Sequence, residues 1–271
     1  MPLTESWIQA ALKVTGNFEN SSDPFGGVAG DFDGMGISLG VLQWNIGMGS
    51  LQPLVKKVGR AKVVDLMPVY GGELWTACIS NIPQGLAIVR SWQNGSHLLE
   101  AVRKELKAFT HSDAFVSQQV AAAHAVAERA WATASLWNSE TVRSEPTLQD
   151  FCWFFDVYTQ NGGMKGITPA NVHEFIANVG QDRADDLVCD WLRARTPADH
   201  GFKDSNKNGT IWRNAVPAVN LMLFVASYLR SQKAILPWRA DTLNRKGTIA
   251  VGTGWVHGEM HNLRPIFEET G

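Results

Sequence analysis

From Glu5 to Val14 the apolar positions Trp7, Ile8, Ala11 and Leu12 recur at three- and four-residue steps, which predicts an amphipathic helix capped by Thr4, with Gly16 at C′. The pattern then changes. Residues 26–37 hold Gly26, Gly27, Gly30, Gly34 and Gly36, which predicts a hairpin with arms near Val28 to Gly30 and Ile37 to Leu39. Beyond it the helical period returns almost without interruption. The candidates are a short helix opening near Ser50, then Lys62 to Met67, Ser96 to Phe109, Asp113 to about Trp137, Leu148 to Gln160, Pro169 to Val179, Gln181 to Ala194 and Val216 to Leu236. Thr196 to Thr210 is dense in turn residues and reads as a polar loop. After Pro237 weak alternation with glycines predicts irregular structure or a short hairpin.

These elements make a mainly α chain, and its 271 residues with 45% hydrophobic content suffice for one large core. We expect a single domain over residues 1–271, two-lobed and helical. A boundary between Glu140 and Pro146 is possible, but no linker composition marks it. Cys78, Cys152 and Cys189 are odd in number and widely spaced, so they read as small core residues. Net charge is −2, which does not call for nucleic acid. The charge is uneven, with 13 basic against 19 acidic residues through residue 189 and 11 against 7 beyond it. The basic tail either meets an anionic polymer or balances the fold. No segment at the N-terminus has the composition of a signal peptide, and the longest apolar stretch, around Val216 to Leu229, is too short to span a bilayer.

The chemistry gathers around the hairpin. Cleaving a glycosidic bond needs one protonated carboxyl for the leaving oxygen and one ionised carboxylate across the sugar. Glu19, sheltered by Phe18 and the hairpin, would be kept protonated by desolvation and serve as general acid. Asp33 or Asp31, in an open turn, would be the base, and Ser38 could hold the attacking water. The same aspartates also suit a simple turn, because Asp-Gly is a common turn pair. Eleven tryptophans favour core packing or sugar stacking, and Trp44 is the one placed to line a subsite. Tyr158, Gln160 and Asn161 form a second polar cluster at a helix end, while Asp156 in that helix reads as a buried partner for an arginine. Metal readings are weak. Asp204 to Gly209 mimics the start of a calcium loop but has Ala215 at its twelfth position, and His257 to His261 lacks a zinc-helix spacing. We therefore expect no metal and no cofactor.

Glu19-Asn20-Ser21-Ser22, then Asp33-Gly34-Met35-Gly36-Ile37-Ser38-Leu39-Gly40, then Gly47-Met48-Gly49-Ser50-Leu51 resembles the catalytic stretch of family 46 chitosanases in the lysozyme superfamily. That resemblance covers about residues 16–55. It implies Glu19 as acid, Asp33 as base and Ser38 as water holder in a lysozyme-like fold whose hairpin borders the cleft. Asp31-Phe32-Asp33-Gly34 also resembles the turn of phage-type lysozymes, where the first acid is functional, so Asp31 rivals Asp33. Gly40-Val41-Leu42-Gln43 is similar to an element of lytic transglycosylases and goose-type lysozymes whose glutamine, here Gln43, lines the cleft. Glu19 and Asp33 stand 14 residues apart, closer than in the chitosanase pattern. The hairpin joined to Leu42-Gln43-Trp44-Asn45 resembles muramidase domains of type VI secretion effectors.

These resemblances imply an endo-acting muramidase that hydrolyses the β-1,4 bond of peptidoglycan, possible as an antibacterial effector domain. Delivery to a target periplasm would then need a secretion system or a larger carrier, and an immunity protein is a candidate partner. If the mechanism inverts, the two carboxyls stand about 6.5–9.5 Å apart. The rival enzymes are a chitosanase and a lytic transglycosylase. The rival outside catalysis is a glycan-binding or phage or secretion structural module.

Overall fold

The computed structural model describes residues 3–19, 25–140 and 145–268, and 66% helix with only small antiparallel strand pairs makes the chain mainly α. The chain forms two compact units, residues 15–125 and residues 1–14 with 126–271.

Helix α1 spans Glu5–Glu19, and at its start the Trp7 N–H donates to Thr4 Oγ1 at 3.4 Å. It runs past Gly16. Val14, Thr15 and Phe18 are buried like Trp7 and Ala11, so the apolar stripe gains a turn that offsets the cost of about 1 kcal/mol for an interior glycine. Glu19 is therefore the last helical residue rather than a loop residue, and its side chain lies outside the described residues.

In the 15–125 unit, β1 (Val28–Ala29), β2 (Ser38–Leu39) and β3 (Trp44–Asn45) form one antiparallel sheet. Its register pairs Val28 with Leu39, Ser38 with Asn45 and Leu39 with Trp44. The predicted hairpin is present with shorter arms, and the third strand was not anticipated. Helices α2 (Leu51–Val58), α3 (Arg60–Leu66), α4 (Gly71–Ile79) and α5 (Ile82–Arg90) follow. Two of these, α4 and α5, lie outside the helices expected from the sequence. A distant residue starts α4, since Glu105 accepts the N–H groups of Val69 and Tyr70. A local cap starts α5, where Asn81 Oδ1 accepts the Gln84 N–H at 3.0 Å. Strands β4 (Gln93–Asn94) and β5 (His97–Leu98) lead to α6 (Glu100–Thr110) and the long α7 (Asp113–Ser139), of which residues 113–125 belong to this unit and the rest to the second.

The second unit holds α8 (Leu148–Asn161), α9 (Pro169–Val179), α10 (Ala184–Arg193), α11 (Phe202–Ile211), α12 (Leu221–Ser231), α13 (Arg239–Val251), the hairpin β6 (Thr253–Val256) and β7 (Glu259–Asn262), and α14 (Arg264–Glu268). Its core runs along α8, where Trp153, Phe154 and Phe155 are fully buried and Trp153 Nε1 donates to Ser227 Oγ at 2.9 Å. The expected loop over Thr196 to Thr210 is largely helix α11. Asp204, Ser205 and Asn208 on its inner face are polar because they are bonded inside, not because they face water. Ser205 Oγ and Asn208 Nδ2 both donate to Asn244 Oδ1, the Trp255 N–H donates to Asn208 Oδ1 at 2.7 Å, and Asp204 Oδ2 accepts the Gly258 N–H at 2.8 Å. The short hairpin expected after Pro237 is present as β6 and β7, whereas helix α13 precedes it where no helix was expected, because α13 buries Asn244, Arg245, Lys246 and Thr248 among polar partners. The apolar stretch expected from Val216 to Leu236 is helical as α12 only from Leu221 to Ser231, after a 3₁₀ turn.

Asp156 is a buried partner of an arginine, as the sequence implies. Arg245 donates to its Oδ1 through Nε at 3.0 Å and Nη2 at 2.8 Å, and Lys246 Nζ donates to Oδ2. Burial pushes this carboxyl up, while Arg245 and Lys246 pull it further down, leaving it below its ordinary range. Two cations share one anion, and burial draws Lys246 down to about 8. The three cysteines are free and buried, and burial pushes Cys78 and Cys189 up to about 12, so they are poor nucleophiles.

Candidate active site

The turn between β1 and β2 carries both aspartates, and its backbone is held from a distance. Gln93 clamps it twice, accepting the Asp31 N–H through Oε1 at 2.8 Å and donating through Nε2 to the Gly36 carbonyl at 2.9 Å. Arg90 adds a second clamp. Its Nε meets Asp31 Oδ2 at 2.6 Å and its Nη2 donates to the Gly34 carbonyl at 3.0 Å, while the other Asp31 oxygen accepts the Gly36 N–H at 2.7 Å. Gly36 has φ +86, and a Cβ there would meet Leu86 Cδ2 at 2.7 Å and Val89 Cγ2 at 2.8 Å, so α5 packs directly on the turn. Gly36→Ala should therefore cost about 1–3 kcal/mol in a thermal melt, and an unchanged melting temperature would show that the turn does not need this close approach.

The two aspartates differ in what they can offer. Asp31 is committed to the turn, with its side chain 12% exposed. Burial pushes its carboxyl up, but the bonds from Arg90, Gly36 and Gly34 outweigh that and hold it below the usual carboxylate range. Asp33 is exposed and accepts only a short local bond that the structure records, from the Met35 N–H at 3.0 Å to Oδ1. A carboxylate that faces solvent can meet a substrate and a water; one locked in a clamp must first give up its partners.

Ser38 lies in the middle strand and is 3% exposed, between Ala29 and Asn45. Gln43 folds onto its own turn, its Nε2 donating to the Gly40 carbonyl at 2.9 Å, and its φ of 51° is left-handed. Trp44 is 9% exposed and packs beside Gly40, so most of its indole surface is taken up inside the fold. Gln119 fixes this end of the sheet, with Oε1 accepting the Val41 N–H and Nε2 donating to the Thr110 carbonyl, both at 3.0 Å.

Tyr158, Gln160 and Asn161 belong to the other unit. Tyr158 shares a 2.7 Å hydroxyl bond with Thr133, and Arg129 lies over its ring. Gln160 is exposed, and the Asn161 carbonyl accepts Arg230 Nη2 at 2.8 Å. Of the nine residues singled out by sequence, Glu19, Asp31, Asp33, Ser38, Gln43 and Trp44 thus share one unit. Arg90, Gln93 and Gln119 escaped the sequence reading because they act on the turn from about 60 to 80 residues away, and nothing local marks them.

Among the described residues no group of histidine, cysteine, aspartate or glutamate is arranged to hold a metal, and Asp204 to Asn208 lie in a helix rather than a calcium loop. No described helix is long and apolar enough to cross a membrane. No protein-family model matches the chain, and no curated protein or solved structure matches it.

Proposed function

We propose that this chain is an endo-acting muramidase that hydrolyses the β-1,4 bonds of peptidoglycan, with Glu19 as general acid, Asp33 as general base and Ser38 beside the attacking water. The observation that carries the reading is the braced turn. Arg90 and Gln93 tie the backbone on both sides of Asp33 and leave its carboxylate exposed, in the unit that also holds Glu19. A general base must be held in place yet reach solvent, and this arrangement meets both demands. Asp31 becomes the residue that shapes the turn. Antibacterial use would follow, with a secretion system or larger carrier bringing the enzyme to a competitor's wall.

The direct test is purified protein on purified peptidoglycan, with soluble chitosan as the competing substrate. Falling turbidity of the wall with no chitosan oligomers supports a muramidase; oligomers alone make it a chitosanase, and neither product removes the enzymatic reading. Arg90→Ala supplies a finer check. Its ion pair with Asp31 is half-exposed and worth at most about 1 kcal/mol of stability, but loosening the turn should lower kcat by about tenfold or more. A variant that keeps full turnover would separate the brace from catalysis.

A further inference from the structure

Phe32 sits between the two aspartates and is 69% exposed, although the surrounding sheet buries Ile37, Leu39 and Ile46 completely. The backbone that carries it is hydrogen-bonded on both sides. The Phe32 N–H donates to the Gly30 carbonyl at 3.0 Å, the preceding N–H is held by Gln93, and the carbonyl of Gly34 by Arg90. The same bonded turn thus carries an exposed aromatic ring one residue from Asp33. Placing a large apolar side chain there contributes nothing to the core, and the indole expected to do aromatic work, Trp44, is buried.

We infer that Phe32 is a substrate-positioning residue that stacks on the apolar C–H face of a pyranose ring beside the bond to be cleaved. The inference rests on reading the chain as a glycan hydrolase and adds the residue that sets the sugar's place on the turn. A phenyl ring has no hydrogen-bonding group, so it recognises the ring face and not the hydroxyl pattern. Such a contact forms equally in the bound substrate and in the transition state, and its loss raises KM while sparing kcat. Any polymer of β-linked pyranoses offers this face, the glycan strands of the wall included.

The experiment compares wild type with Phe32→Ala, Phe32→Trp and, as a control, Val69→Ala, which removes an equally exposed apolar side chain elsewhere in the same unit. On soluble peptidoglycan fragments, Phe32→Ala should raise KM about tenfold with kcat held within about threefold, whereas Phe32→Trp and Val69→Ala stay near wild type. Melting temperatures should not change. An unchanged KM in Phe32→Ala, or an equal rise in Val69→Ala, overturns the inference. Titration calorimetry with the same fragments separates it from the proposed activity. If wild type binds but does not cleave, the muramidase reading fails, while tenfold weaker binding by Phe32→Ala still upholds the stacking role. If wild type does not bind, both fall.

Discussion

Asp156→Ala should destabilise the unit built on α8 by about 3–5 kcal/mol, the usual cost of removing one partner from a buried ion pair. The carboxylate is fully buried, and its loss leaves the Arg245 guanidinium and the Lys246 ammonium, both nearly inaccessible, without the anion they share. For a unit of this size the change corresponds to a fall in melting temperature on the order of 10 °C. Asp65→Asn is the contrast. It removes an exposed i,i+3 pair with Lys62 and should change nothing measurable. A fall under about 3 °C for Asp156→Ala would mean that water or another anion relieves the two cations. The same triad sets an acid limit. Because the folded-state pKa of Asp156 is depressed, its contribution is fully present above the ordinary carboxylate value near 4 and is lost as pH falls below it, so unfolding on acidification should weaken in the variant.

Glu19→Gln should lower wall clearing by about 10²–10⁴-fold while binding to insoluble wall persists, because glutamine keeps the shape and the amide cannot protonate a leaving oxygen. The aspartates should then separate. Asp33→Asn is expected to match that loss with an unchanged melting temperature, since its carboxylate is exposed and holds only the Met35 N–H among its recorded bonds. Asp31→Asn should instead lower stability together with activity, because it cuts the tie to Arg90 and weakens the one to Gly36. Equal activity loss without destabilisation in Asp31→Asn would move the base from Asp33 to Asp31.

The apolar period made much of the helical layout legible. Helix α9 spans Pro169–Val179 as read, and α8 differs from its expected end by one residue. In α11 and α13 the period failed because of polar burial. Ser205 and Asn208 in α11 and Asn244, Arg245 and Lys246 in α13 look like solvent-facing residues in sequence, but they bond to one another, to the β6 strand or to Asp156. Sequence alone cannot distinguish a polar residue that faces water from one whose partner arrives from 40 residues away. The turn chemistry behaved the same way. Asp31 and Asp33 are two residues apart in the same glycine-rich segment and look interchangeable, and it is Arg90, 59 positions on, that takes one of them into the framework and leaves the other exposed. Trp44 follows the same rule: it is 9% exposed, since proximity to the turn in sequence says nothing about which face of β3 meets the core.

The central claim is hydrolysis of the wall's β-1,4 bond by an acid–base pair, and the products of a digest test it most directly. Purified peptidoglycan incubated with the protein and analysed by mass spectrometry should yield fragments carrying a new reducing end, each heavier by one water than its 1,6-anhydro counterpart, and none after Glu19→Gln. Fragments ending in 1,6-anhydro sugars would contradict the claim, because that product forms without an attacking water and leaves Asp33 with no base to be.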